Sequence, residues 1–287
     1  MKTLINFARS RARALLPKSY RAKRQAARRL KAFREMLRPD DTFLVGHPKS
    51  GNTWLAYMLA IAAGKAPADG ITLANIGTHI PTIHAQDFRI SEFADLAAPR
   101  AFRNEGPVFP NEYPRTIYLM RDPRAAWVSY YHHCVHDTEE SDWSLDDFVD
   151  EMIEHGCIRR LEPHLIRWDI QVADWMNRTA SQPVHFVKYE ELIADRATVL
   201  RRVLEFIGVD ADPELLALVD ERGAFKSMRR QEETHGAESY PGEKGARGYF
   251  VRKGRVDGWR DELTPRSAER IRHALGGVMA RAGYVAD

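Results

Sequence analysis

The sequence predicts a three-layer α/β/α domain built on a central parallel sheet. Short β-rich runs alternate with stretches of helical periodicity, the pattern of strands joined by right-handed crossovers. The first strand and helix are joined by a glycine-spaced polar loop. The 287 residues suit one large α/β core. Apolar residues make up 44% of the chain and charged residues 29%, a balance that belongs to a folded globular protein and not to a disordered one.

Residues 1–38 read as an appended segment, and residues 39–287 as the domain itself. Met1 to Arg38 holds thirteen Lys and Arg against one acid, Glu35, although the whole chain carries only +3. Leu4, Ala8, Ala12, Leu15 and Leu16 share one helical face, and Leu30, Phe33 and Leu37 repeat the pattern beyond Pro17. Two basic amphipathic helices are expected. They serve either as a solvated cover for the domain edge or as a peripheral contact with anionic lipid or an anionic acceptor. Nucleic acid is not an expected partner, since no aromatic interleaving or recognisable module accompanies the charge. Arg9, Arg11 and Arg13 interrupt the start before it can serve as a secretory signal, and no run of about 18 apolar residues reads as a membrane span. The two cysteines, Cys134 and Cys157, fit a reducing compartment, so a cytoplasmic location is expected.

Along the domain, Phe43-Leu44-Val45-Gly46 reads as a buried strand, and Leu55, Met58, Leu59 and Ala62 as the face of the following helix. Thr116 to Met120 is a second strand, after which Asp122 caps a helix with Pro123 in its first turn. Val184 to Val187 is a third, leading to a helix through Val199, Leu200, Val203, Leu204 and Ile207 that Gly208 closes. Arg229 to Gly258 lacks periodicity and is long for a plain connection, as functional or mobile loops are. A last helix runs from about Thr264 to Ala282, with Pro265 in its first turn.

The loop Gly46-His47-Pro48-Lys49-Ser50-Gly51-Asn52-Thr53 carries the chemistry. Its two glycines have phosphate-loop spacing, so backbone N–H groups and the following helix terminus converge on an anion. A nucleotide kinase needs Lys directly after the second glycine; here Asn52 stands there, and the lysine lies inside the loop at Lys49. Phosphate binding is kept while the magnesium-nucleotide signature is lost, so no metal is expected. A single ammonium at Lys49 suits one phosphate oxygen leaving with negative charge, a contact worth about 3 to 4 kcal/mol in a transition state.

Pro48 to Trp54 resembles the 5′-phosphosulfate loop of cytosolic-type sulfotransferases. Two further motifs agree: Arg121-Asp122-Pro123-Arg124 with Ser129, similar to the family's 3′-phosphate segment, and Phe250-Val251-Arg252-Lys253-Gly254, similar to its carboxy-terminal R-K-G motif. The resemblance implies a P-loop-like sulfotransferase fold and 3′-phosphoadenosine 5′-phosphosulfate (PAPS) as donor. Implied donor contacts are Lys49, Ser50, Gly51, Asn52, Thr53, Trp54, Arg121, Ser129, Tyr189, Phe225, Phe250, Arg252, Lys253 and Gly254. Arg121 can clamp phosphate oxygens bidentately, while Trp54 and Phe225 offer faces for adenine, worth about 1 to 3 kcal/mol per stacked base. Two departures stand out. After Gly223 the family pattern offers small hydroxyl residues where this chain has Gly223-Ala224-Phe225, and Asp257-Gly258-Trp259 inverts its G-D-W.

In the family a histidine deprotonates the acceptor. The matching stretch, Pro99 to Pro107, places Glu105 at that position, with Arg103 nearby to hold it. Glu105 is therefore the expected general base, a role contributing about 100- to 10 000-fold in rate. His79, His84 and His132 are the alternatives, and a surface ion pair or loss of activity are the others. The competing functions are a kinase-like phosphotransferase and a non-catalytic, membrane-associated nucleotide-binding module. The acceptor is a hydroxyl or an amine, and the basic start favours a glycan or lipid.

Overall fold

The computed structural model describes residues 18–64, 67–83, 96, 98–106, 108–137, 143–158, 165–237 and 251–284. The chain divides into two compact units, one of Met1–Pro39 with Arg89–Leu96 and one of Asp40–Phe88 with Ala97–Asp287. Within the first, α1 spans Lys18–Met36. It corresponds to the second of the two expected basic helices, and the first lies outside the described residues. Among the described residues, no helix is long and apolar enough to cross a membrane.

The second unit holds four parallel strands: β1 (Thr42–Gly46), β2 (Ala101–Asn104), β3 (Arg115–Met120) and β4 (Val184–Lys188). Their order across the sheet is β2-β1-β3-β4. Alternating side chains give the sheet two faces. Leu44, Ile117, Leu119 and Val187 point into an aliphatic core with α2 (Asn52–Ala62), α8 (Arg196–Ile207) and α9 (Pro213–Gly223). The opposite face is aromatic. Phe43 stacks on Tyr113 at 3.8 Å, and Tyr118 packs between Phe186 and Trp175 of α6 (Trp168–Arg178). A sheet covered by helices on both sides results, as the alternation of runs predicts.

The predicted strands and helix ends appear where short-range signals place them. Asp122 accepts from Arg124 N at 2.9 Å at the start of α4 (Pro123–Asp137). Thr264 caps α11 (Pro265–Arg281), and Gly208 closes α8 in the left-handed conformation. Two elements differ from expectation. Strand β2 is built from Ala-Phe-Arg-Asn, whose polar side chains are buried and satisfied internally: Arg103 Nε donates to the Ile80 carbonyl at 2.9 Å, and Asn104 Nδ2 to Tyr113 Oη at 3.2 Å. Helix α10 (Phe225–His235) takes the first residues of the stretch read as aperiodic, because it buries Met228 and the polar Glu232 instead of an apolar stripe.

Candidate active site

Each strand delivers one side chain of the predicted site at its carboxyl end, where ligands of parallel sheets bind. Lys49 follows β1, Glu105 follows β2, Arg121 follows β3, and Tyr189 follows β4 as the first residue of α7 (Tyr189–Ala194). Register makes them neighbours. Val45 pairs with Asn104, Gly46 with Leu119, and Met120 with Lys188.

The loop after β1 is shaped for an anion. Gly51 is left-handed (φ 105), and a Cβ there would lie 3.0 Å from the Tyr189 ring. Lys49 is also left-handed (φ 64), which costs a non-glycine residue about 1 to 2 kcal/mol. Arg121 Nη1 holds this conformation by donating to the Lys49 carbonyl at 2.9 Å. No side chain caps the start of α2 at Gly51, so its first N–H groups point outward for an incoming anion. Ser50 Oγ and Arg121 Nε are buried and lack hydrogen-bond partners, as is His47 Nε2 at the base of the loop. Burial lowers the His47 pKa to about 4, against a smaller opposing effect of the Pro48 carbonyl. Of the three orphaned atoms, His47 Nε2 is an acceptor, because Nδ1 carries the proton toward the Pro48 carbonyl; Arg121 lines the cleft, and its orphaned Nε donor fits a phosphate-bearing ligand.

An open cleft with about 1030 Å³ of empty space, part of it continuous with solvent, gathers the predicted residues. Lys49, Gly51, Asn52, Thr53, Trp54, Glu105, Arg121, Ser129, Tyr189, Phe225, Arg252, Lys253 and Gly254 all line it. One expected donor contact does not. Ser50 is fully buried beneath the loop, and Phe250 lies outside the described residues, as does the alternative base His84.

The aromatic residues form one wall. The Arg121 guanidinium lies 4.1 Å from the centre of the Tyr189 ring, and Trp54 meets Tyr189 edge-on at 5.6 Å. Trp54 Nε1 donates to the Gly223 carbonyl at 2.9 Å, while a Cβ on Gly223 would meet Met58 Sδ at 2.6 Å. Gly223 thus packs against Met58, with the indole nitrogen 3.6 Å from such a Cβ. Gly254 (φ 61) crosses the Phe225 face so closely that a Cβ would meet Phe225 Cδ2 at 2.4 Å. The carboxy-terminal motif thus packs directly on the half-exposed aromatic ring. The guanidinium groups of Arg124 and Arg260 lie 4.1 and 4.5 Å from the ring centre of Trp259, the tryptophan of the inverted G-D-W.

Glu105 reaches the loop through Asn52, whose Nδ2 donates to Glu105 Oε1 at 3.3 Å and to the Gly46 carbonyl at 3.4 Å. Gln171 Nε2 donates to the Glu105 carbonyl at 2.8 Å. Arg103, expected to hold Glu105, donates to the Ile80 carbonyl and, at 3.5 Å, to Thr53 Oγ1. Sequence reasoning missed the Asn52 contact, although the amide in the kinase-lysine position was a visible signal. Gln171 had none, standing 66 positions away. His132, an alternative base, is engaged by Glu262. Among the described residues no three His, Cys, Asp or Glu side chains converge as a metal-binding group.

Comparison with known proteins gives the family and the fold. The family model described as Sulfotransferase domain matches residues 39–283. The 3-beta-hydroxysteroid sulfotransferase of Cavia porcellus is 26% identical over 82% of this chain and 82% of its own. The amine sulfotransferase of Oryctolagus cuniculus is 21% identical over 82% of this chain and 79% of its own. Among solved structures, retinol dehydratase in complex with androsterone and PAP shares the fold with a TM-score of 0.66, at 16% identity over 85% of this chain and 81% of its own. Mouse sulfotransferase SULT7A1 complexed with PAP gives 0.61, at 21% identity over 85% of this chain and 86% of its own.

Proposed function

The chain belongs to the sulfotransferase domain family and is a PAPS-dependent sulfotransferase, and from that premise we propose that Lys49 and Glu105 carry the transfer chemistry. The donor supplies a sulfonate group, which passes to a hydroxyl or amine acceptor. Lys49 offers its ammonium to the phosphate oxygen that leaves. Glu105 takes the proton from the acceptor, and Asn52 orients the carboxylate while also bracing the loop. Arg121 and Ser129 hold the 3′-phosphate with Arg252 and Lys253, and Trp54, Tyr189 and Phe225 enclose the adenine.

One observation carries the reading: three motifs separated by about 200 residues line a single cleft, with one side chain from every strand end. The acceptor we infer is a small molecule. The relatives' names, a steroid and an amine sulfotransferase, support that class, whereas a glycan or lipid has support only in the charge of residues 1–38. That segment we read as a peripheral appendage to the domain at 39–287.

The test is calorimetry with 3′-phosphoadenosine 5′-phosphate (PAP), followed by labelled-sulfonate transfer to a panel of small alcohols, phenols and amines. PAP binding with chelator-insensitive transfer is expected. Preference for magnesium-ATP over PAP would return the chain to phosphotransferase chemistry.

A further inference from the structure

Glu262 has no place in the motifs, yet three side chains converge on its carboxylate. Oε1 accepts from Arg252 Nη1 at 2.6 Å and from Lys253 Nζ at 2.7 Å, and Oε2 pairs with His132 Nε2. The side chain is only 18% exposed. Burial works against its charge, but the hydrogen bonds from Lys253, Arg252 and His132 prevail and bring its pKa down to about 2. Glu262 is thus an anion held by cations at neutral pH.

These contacts join two parts of the chain that nothing local aligns. His132 lies in α4 one turn after Ser129, and it meets Glu262 across 130 positions of sequence. Arg252 and Lys253 sit on a segment whose backbone is pinned from the other side by α10. There Val251 N donates to Glu232 Oε2 at 2.8 Å, and Arg229 Nη2 donates to the Arg252 carbonyl at 2.9 Å. The main chain is therefore set by α10, while the cationic side chains are tied to α4. Glu262 engages only Nη1 of the Arg252 guanidinium and one of three Lys253 donors. Arg252, Lys253 and Glu262 together still sum to a positive charge.

We propose that Glu262 is a positioning residue that registers Arg252 and Lys253 against Ser129, so that both halves of the clamp meet the donor's 3′-phosphate. This rests on the donor reading above. A carboxylate that merely competed with that phosphate would have no need of the third bond to α4.

Calorimetry of wild type and Glu262→Gln, each with PAP and with adenosine 5′-phosphate, tests it. Wild type is expected to prefer PAP. The variant is expected to lose about 10- to 100-fold on PAP and to stay within about twofold on adenosine 5′-phosphate, as loss of one or two charge-assisted bonds predicts. Unchanged PAP affinity, or equal losses on both ligands, would overturn the proposal. Tighter PAP binding would overturn it in favour of competition. A wild type that does not prefer PAP would remove the donor reading and the proposal with it. His132→Phe keeps Arg252 and Lys253 on Glu262 but cuts the link to α4, so the same selective loss, smaller in size, is expected there even if Glu262→Gln does not fold.

Discussion

Replacing Glu105 by Gln isolates one property of that side chain. The amide keeps its length, and its Oε1 can still accept from Asn52 Nδ2, now 3.3 Å away. The backbone bond from Gln171 at 2.8 Å is untouched. What disappears is the capacity to take a proton. Making the Asn52 bond neutral costs about 1 kcal/mol of alignment, from the difference between charged and neutral hydrogen bonds. That accounts for less than about tenfold in rate. Loss of general-base assistance costs about 100- to 10 000-fold, or about 2.7 to 5.4 kcal/mol. The two effects are therefore separable by size. Labelled-sulfonate transfer at saturating donor should show kcat falling at least about 100-fold, with the PAP dissociation constant within about twofold by calorimetry. A fall of less than about tenfold, or one explained by weaker PAP binding, would refute Glu105 as the base.

Three further outcomes follow from the loop and its neighbours. His47 is buried with a pKa near 4, so as pH falls from about 6.5 the unfolded chain gains a proton that the folded one refuses; stability should drop by about 2 kcal/mol between pH 7 and 5. Urea denaturation of His47→Gln should lack that drop, and a parallel decline in both proteins would clear His47 of the effect. A Cβ at Gly46 would lie 2.6 Å from the Leu119 carbonyl and 2.7 Å from Asn52 Oδ1. Gly46→Ala must therefore push β1 and β3 apart, with about 1 to 3 kcal/mol lost and a lower urea midpoint; an unchanged midpoint would contradict the tight approach. Arg121→Lys keeps the charge but cannot bond the Lys49 carbonyl and lie flat on Tyr189 while clamping a phosphate. PAP should bind about 10- to 100-fold more weakly by calorimetry, and equal affinity would take Arg121 out of the donor site.

Much of the site was legible in the chain because its signals are local. Gly46 to Thr53 is one contiguous strand-loop-helix unit, and the displaced lysine at Lys49 is visible without any coordinates. Asp122, Thr264 and Gly208 mark helix ends through bonds to residues within a turn. Strand β2 was not legible, because Arg103 and Asn104 break the apolar pattern and their partners, Ile80 and Tyr113, come from other segments. The same holds for α10, whose buried face includes Glu232.

Which residues can handle a phosphate is written in the chain: glycine spacing, a lysine, arginines and aromatic faces are properties of residue type and short spacing. How they are held follows from the folded packing alone. Asn52 on Glu105, Gln171 behind it, and Glu262 on His132 of the helix that carries Ser129 are contacts across 53 to 130 positions. Their existence depends on strand register and helix packing, which bring side chains within 3.3 Å or less only after the core has formed. A hydrogen bond is directional and short-ranged, so no spacing along the chain announces it.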